Sequence, residues 1–142
     1  MNAVLDTNIV LDAFVFADEA ARPLRAALEA GRLRWWATAA MREELARVLG
    51  YPQIAPRLAF YELAPQAVLD AFDRHATLVD APAKAPLTCS DPDDQKFIAL
   101  AVSRQALLLS KDRAVLSMKK RLAPWSVQAR PALQPEDLHE PA

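Results

Sequence analysis

The stretch VLDTN at residues 4–8 decides the fold, because it places an acid directly between a strand and a helix. A short apolar strand that begins at Ala3 ends on Asp6, and a helical pattern that includes Ile9 and Val10 begins at once. Ligands of open α/β sheets bind just beyond the carboxyl ends of the strands. An aspartate before a helix is, however, more often a simple N-cap. Asp6 alone is therefore compatible with a cap or with a binding residue. The acids later in the chain are needed to distinguish these two interpretations.

The composition is that of an ordinary soluble globular protein, with 53% hydrophobic residues, 25% charged residues and a net charge of -1. We expect one domain over residues 1–142, in which about 123–142 form a C-terminal strand and tail. The near-neutral charge excludes a strongly basic, histone-like binder. Cys89 is the only cysteine, which excludes an intrachain disulfide and a cysteine-based zinc site. Because neither a membrane-length apolar run nor a secretory signal pattern is present, we expect a cytoplasmic protein without membrane contact.

Strand-like and helix-like segments alternate along the chain. We predict strands at 3–5, 33–37, 77–79 and 106–110, with a last short strand near Val127. We predict helices at 17–30, 39–49, 66–75, 93–104 and 112–120, with a final helical turn at 135–138. The proline-rich loop 50–65 follows no assignable pattern beyond one short helix. This alternation predicts an α/β domain with a mainly parallel sheet.

Two adjacent glutamates on the predicted helix 39–49 point in different directions. At 100° per residue, one apolar stripe runs from Met41 to Leu49. Glu44 lies at the edge of that stripe and is held against the domain, whereas Glu43 faces solvent. A carboxylate beside a packed face must be satisfied by a nearby backbone group or by a ligand.

The densest acidic cluster is Ser90-Asp91-Pro92-Asp93-Asp94. Asp91 as an N-cap and Pro92 at the first helical position explain part of it. Asp94 heads the apolar stripe of the helix that follows and faces inward, whereas Asp93 is rotated toward solvent. Three acids in four residues are more than a cap requires.

Asp112, two residues after the apolar strand 106–110, is again either a cap or a site residue. Together with Asp6, Asp94 and Glu44 it would face one edge of a parallel sheet. A pair of carboxylates about 4 Å apart costs roughly 4 kcal/mol at an effective dielectric near 20. The four are therefore either spread apart as caps or held together by a cation. Oxygen ligands without histidine or cysteine suit Mg²⁺ or Mn²⁺, which can orient a phosphate and lower the pKa of bound water for attack on a phosphodiester.

In combination, these segments resemble the PIN domain family and, within it, the toxin-like PIN nucleases. The matching segments are LDTN at 5–8, REEL at 42–45, DPDDQKF at 91–97 and SKD at 110–112, followed by RAVL at 113–116. The resemblance implies a three-layer α/β/α fold with a mainly parallel four- to five-stranded sheet. It also implies a Mg²⁺- or Mn²⁺-dependent endoribonuclease whose metal-binding and catalytic quartet is Asp6, Glu44, Asp94 and Asp112.

The same resemblance implies supporting residues and partners. Asp91 matches a frequent extra acid, and Asn8 and Ser110 match polar residues beside the first and last acids. Proteins of this kind are commonly toxins of toxin–antitoxin pairs, which implies an RNA substrate, a cognate antitoxin protein and a homodimer. Lys111 departs from many relatives, which carry a small residue there, and we expect it to touch substrate phosphate or to be solvated.

Basic residues late in the chain are candidates for contacts with the RNA backbone: Lys111, Arg113, Lys119, Lys120 and Arg121. For the run 119–121, a solvated helix end is the favoured interpretation.

The main alternative function is a non-catalytic RNA- or partner-binding module on the same fold. Such a binder would gain nothing from a full acidic quartet beside phosphate. An aspartyl phosphatase would also place Asp6 at the end of a first strand, but it expects a second aspartate where Asn8 stands. Five further residues are predicted to be structural or at the surface: His75 and His139 in structural or solvated positions, and Trp35, Trp36 and Trp125 in the core or on a dimer surface.

Overall fold

The order of the strands determines which parts of the chain meet at the edge of the sheet. The computed structural model describes residues 1–138, and within them five parallel strands form one sheet in the order β3-β2-β1-β4-β5. The strands are β1 (Asn2–Leu5), β2 (Arg34–Ala37), β3 (Ala76–Leu78), β4 (Leu107–Leu109) and β5 (Ala129–Arg130). This confirms the predicted α/β class and its parallel sheet.

Helices cover both faces of the sheet. They are α1 (Thr7–Phe14), α2 (Arg22–Glu29), α3 (Ala39–Val48), α4 (Ala55–Phe60), α5 (Pro65–His75), α6 (Gln95–Arg104), α7 (Arg113–Leu116) and α8 (Lys119–Leu122). Because crossovers between parallel strands are right-handed, α1–α5 lie on one face and α6–α8 on the other, which is the predicted three-layer arrangement. In the described part of the chain, no helix has both the length and the apolarity needed to cross a membrane.

The core is centred on the neighbouring strands β1 and β4, which have helices packed on both faces. Val4 and Leu108 pair in register, and both are fully buried. Trp35 on β2 is also a core residue, with its ring 4.8 Å from that of Phe72 in an edge-on arrangement. The apolar character of the segment 106–110 is therefore explained by an interior strand, as predicted.

Four predicted elements differ from the structure. The predicted helix 93–104 differs only at its start, because its first residues belong to the 3-10 helix Pro92–Asp94 and α6 begins at Gln95. The predicted helix 17–30 is a 3-10 helix, Glu19–Ala21, followed by α2, because Pro23 in the first turn of α2 has no N–H to continue the preceding turn. The predicted helix 112–120 is divided into α7 and α8, and the hydroxyl of Ser117 donates to the carbonyl of Ala114 at the break. The last strand lies at 129–130 and not at Val127, whose N–H is engaged by the carbonyl of Leu122.

The remaining predictions about the loop and tail are confirmed where the structure describes them. The loop 50–65 contains the short helix α4, which buries Leu58. The final turn is a 3-10 helix, Pro135–Leu138, and His139 lies outside the described residues.

His75 and two of the tryptophans have structural or surface positions. The ring of His75 stacks on Phe14 with centroids 5.7 Å apart, and burial, followed by the charge of Arg74, lowers the pKa of His75. Trp36 is half-buried and donates to Asn2 Oδ1 at 3.0 Å, whereas Trp125 is exposed.

Candidate metal centre

The first and last acids come together because their strands are neighbours. Leu5 pairs with Leu109, and the backbone N–H of Asp6 donates to the carbonyl of Leu109 at 3.0 Å. From this point the chain leaves β1 toward β2 and leaves β4 toward β5, in opposite directions. Such a switch point opens a crevice beyond the carboxyl ends of the strands. The side chains of Asp6 and Asp112 lie at that crevice.

Three aspartates converge there. Asp6, Asp94 and Asp112 each offer a carboxylate oxygen, and these three oxygens all lie within 4.8 Å of one another. Asp6 and Asp94 are buried, and Asp112 is half-buried. Asp94 reaches the group from the start of α6, which packs across β1 and β4.

Hydrogen bonds fix Asp6 and Asp112 through one shared hydroxyl. Ser110 Oγ donates to Asp6 Oδ2 at 2.7 Å and accepts the backbone N–H of Asp112 at 3.0 Å. Asp112 also accepts the N–H of Ala114 at 2.8 Å, so it is a cap as well as a member of the cluster. Asp6 stands at the N-cap position of α1 without a side-chain capping bond. The capping interpretation therefore accounts for Asp112 in part. For Asp6 it accounts for less, since no capping bond is formed, although the backbone N–H of Asn8 lowers the pKa of the carboxylate.

Asp94 has an oxygen without a hydrogen-bond donor. Its Oδ2 is buried and has no partner among the described residues. Burial raises the pKa of Asp94 to about 7, and the adjoining carboxylate of Asp112 and the charge of Asp6 add to the rise. Burial also raises the pKa of Asp6, against the opposing effect of the Ser110 hydrogen bond. Both shifts express the same fact, which is that negative charge here lacks compensation.

This geometry fits a hard divalent cation. The cluster consists of carboxylate oxygens from three different elements, and its member Asp94 carries a buried oxygen that has no donor among the described residues. Mg²⁺ and Mn²⁺ prefer oxygen ligands of this kind. Asp6, Asp94 and Asp112 are accordingly the residues that could hold such an ion.

Glu44 lies outside this group of three and has partners of its own. It is half-buried, whereas Glu43 is exposed, in agreement with the helix-face prediction. Glu44 Oε1 accepts from Lys96 Nζ at 2.8 Å, and Glu44 Oε2 accepts a hydrogen bond from the Thr7 hydroxyl.

Two site residues were missed by sequence reasoning: Thr7 and Lys96. No role is predicted for Lys96 from the sequence, whereas the structure places its ammonium group against Glu44. The position of Lys96 two residues after Asp94 in the DPDDQKF segment was the available signal.

The acids and polar residues near the cluster differ in whether they are exposed or buried. Asp93 is exposed, as predicted, and Asp91 Oδ1 accepts the N–H of Asp93 at 2.9 Å, so Asp91 caps the 3-10 helix Pro92–Asp94. The side chain of Asn8 is exposed. Ser110 alone of the predicted supporting residues is fully buried within the cluster.

The basic residues lie around this edge and beyond it. Lys111 forms an ion pair with Asp12, a buried acid on α1, so it is not simply solvated. Arg121 Nη2 donates to the carbonyl of Thr88 at 3.3 Å. All five candidates for RNA contact are exposed residues: Lys111, Arg113, Lys119, Lys120 and Arg121.

Comparison with known proteins gives a family and a fold. The model of the PIN domain family matches residues 2–114. Among solved structures, the chain is similar to a chain of VapBC2 from Rickettsia felis bound to a DNA fragment from their promoter. The TM-score is 0.60 at 16% sequence identity, and the match covers 91% of this chain and 98% of that chain. At that identity the likeness concerns the fold. No curated protein sequence matches the chain.

Proposed function

The chain belongs to the PIN domain family, and from that premise we propose that it is a Mg²⁺- or Mn²⁺-dependent endoribonuclease. The observation that carries the proposal is the buried Oδ2 of Asp94, which has no donor among residues 1–138, on an aspartate that clusters with Asp6 and Asp112. Three acids that only capped helices would have no reason to converge within 4.8 Å.

The residues of the chain have distinct roles in this proposal. Asp6, Asp94 and Asp112 would hold the cation, and Ser110 sets the orientation of the Asp6 carboxylate through its 2.7 Å hydrogen bond. A bound Mg²⁺ or Mn²⁺ supplies charge neutralisation at a phosphodiester and lowers the pKa of an attacking water. Asn8 and Asp91 would have supporting roles, and the exposed basic residues named above are candidates for holding the RNA backbone.

Electrostatics favour this function over a non-catalytic binding module. Three convergent carboxylates without a cation repel the phosphates of a nucleic acid. A module that only bound RNA would therefore be weakened by the very cluster that the fold assembles.

We further propose that the protein is the toxin of a toxin–antitoxin pair. The support is the motif pattern together with the similarity to VapBC2, which forms a complex on promoter DNA. The expected partners are an antitoxin protein, encoded beside this chain as a small DNA-binding protein, and a second copy of the chain in a homodimer. Co-purification with the product of the adjacent reading frame tests the first of these.

Cleavage of RNA tests the central proposal. The purified protein is expected to cleave single-stranded RNA with Mn²⁺ or Mg²⁺ and to lose activity in EDTA. Asp94→Asn should abolish cleavage in a folded protein, whereas the neighbouring Asp93→Asn, which removes the same charge from an exposed position, should retain it.

Two results would contradict the proposal. Cleavage that persists without divalent metal excludes the mechanism. RNA binding without cleavage across varied RNAs would favour the non-catalytic module instead.

A further inference from the structure

An ion pair across the mouth of the site joins the two helical layers. Glu44 comes from α3 on one face of the sheet, and Lys96 comes from α6 on the other. Lys96 Nζ lies 2.8 Å from Glu44 Oε1, and the hydroxyl of Thr7 donates to Oε2. Both oxygens of Glu44 therefore have a partner within the chain, in contrast to Asp94, whose Oδ2 has none among the described residues.

The ammonium group of Lys96 is held in place by more than Glu44. Lys96 Nζ also donates to the carbonyl of Asp93 at 2.6 Å, and it lies 4.9 Å from the centre of the Phe97 ring. Phe97 is buried, and the Lys96 side chain is only 28% exposed. Several simultaneous contacts of this kind restrict the rotamers of a long side chain, so the ion pair is better defined than an isolated surface pair.

The charges at this edge of the sheet consequently form two sets. One set is Asp6, Asp94 and Asp112, whose oxygens lie within 4.8 Å of one another and have no cationic side chain as an ion-pair partner among the described residues. The other set is Glu44 with Lys96, whose formal charges sum to zero, although the nearby Glu44 carboxylate still raises the pKa of Asp6. A divalent cation is attracted most strongly to the uncompensated set.

We propose that Lys96 is a built-in counter-ion for Glu44 that keeps this glutamate from binding the ion directly, so that the divalent cation is held by Asp6, Asp94 and Asp112 alone. Lys96 is then a positioning residue, because it acts through Glu44. The inference rests on the proposed function, since it concerns the same cation.

Binding of Mn²⁺ to the metal-free protein, measured by calorimetry at pH 8 without RNA, tests the proposal. In the wild-type background, Glu44→Gln should change the Kd of Mn²⁺ less than about threefold, whereas Asp94→Asn should weaken it more than about thirtyfold. Lys96→Met should release Glu44 as an added ligand and tighten binding about five- to tenfold. Adding Glu44→Gln to Lys96→Met should cancel that gain.

Control variants separate this coupling from general charge effects. Lys84→Met removes a positive charge at an exposed site, and Glu43→Gln removes a negative charge on the exposed face of α3; neither should alter the Kd. Lys96→Arg keeps the charge, so in this background the Kd of Mn²⁺ should remain insensitive to Glu44→Gln, as in the wild type. This variant also provides a folded reference if Lys96→Met misfolds.

The possible failures are distinguishable. The inference is wrong, while the proposed function stands, if Glu44→Gln alone weakens Mn²⁺ binding as strongly as Asp94→Asn. It is also wrong if Glu44→Gln changes the Kd of Mn²⁺ by the same factor in the wild type and in Lys96→Met. If the wild-type protein binds no Mn²⁺, both fall together.

Discussion

The hydroxyl of Ser110 donates to the carboxylate of Asp6 at 2.7 Å, across 104 residues of sequence and between adjacent strands. Both side chains are buried. This bond ties the end of β4 to the end of β1 at the point where the acids converge. It links the stability of the sheet edge to the orientation of the proposed metal ligand.

Removing that hydroxyl should destabilise the protein. Ser110→Ala leaves the buried Asp6 carboxylate and the N–H of Asp112 without this partner, and we expect a loss of about 1–2 kcal/mol in the free energy of unfolding by urea at pH 7. Ser117→Ala, which deletes an exposed hydroxyl bonded to a carbonyl of the preceding helical turn, should cost less than about 0.5 kcal/mol. Equal losses in the two variants would contradict a special role for the Ser110 bond.

The raised pKa of Asp94 predicts a stability that falls as pH rises. Below the ordinary aspartate pKa of 3.8, the residue is protonated in the folded and unfolded states alike. Between that value and the folded pKa of about 7, the unfolded chain loses its proton while the folded protein retains it, which favours unfolding. In metal-free buffer, Asp94→Asn should therefore be more stable than the wild type by about 1–3 kcal/mol at pH 8, and by much less at pH 4.

Urea unfolding in EDTA at the two pH values measures this difference. Asp93→Asn provides the control, since its side chain is exposed and its change should be small at both pH values. A wild-type protein as stable as Asp94→Asn at pH 8 would show that the Asp94 charge is already compensated.

Divalent metal should stabilise the folded protein by relieving the same repulsion. At Mn²⁺ concentrations well above the Kd, we expect the Tm of the wild type to rise by about 3–8 °C and to return to its starting value in EDTA. Asp6→Asn should lose most of this increase. An equal increase in that variant would place the ion elsewhere on the protein.

The ion pair between Lys111 and Asp12 should contribute to stability although one partner is at the surface. Asp12 is buried on α1, and its partner lies in the segment that carries Ser110 and Asp112. A double-mutant cycle with Asp12→Asn and Lys111→Met should give a coupling energy of about 0.5–1 kcal/mol. The exposed pair Arg25–Glu29 within α2 should give about 0.3–0.5 kcal/mol and serves as the reference.

Helix periodicity predicted the environment of individual acids well. It distinguished Glu44 from Glu43 and Asp94 from Asp93, and in each pair the second residue is the exposed one. The reason is that a fixed rotation of 100° per residue assigns the faces of a helix once the apolar stripe is known. The same reasoning could not find Thr7 or the ammonium of Lys96, because their partner Glu44 belongs to a different helix.

Periodicity also failed where a local contact interrupts a helix. The segment 112–120 has a continuous helical pattern, yet it divides near Ser117, whose hydroxyl bonds to the carbonyl of Ala114. Val127 is as apolar as a strand residue should be, but its N–H donates to the carbonyl of Leu122 and is not available to pair with a neighbouring strand. Such competition between hydrogen-bond partners depends on three-dimensional proximity and leaves no periodic signal.

By itself, the sequence determined the α/β class, the parallel sheet and the acids that end its strands, because these follow from local patterns of apolar and turn-forming residues. Only the tertiary structure decided how those acids are grouped. Adjacency of β1 and β4 brings Asp6, Ser110 and Asp112 together. The packing of α6 across both strands buries an oxygen of Asp94 that finds no donor in the described part of the chain. Because α3 and α6 lie on opposite faces of the sheet and meet at this edge, Glu44 forms its ion pair with Lys96. Charge compensation acts through space, so it is settled by distances that the order of residues does not contain.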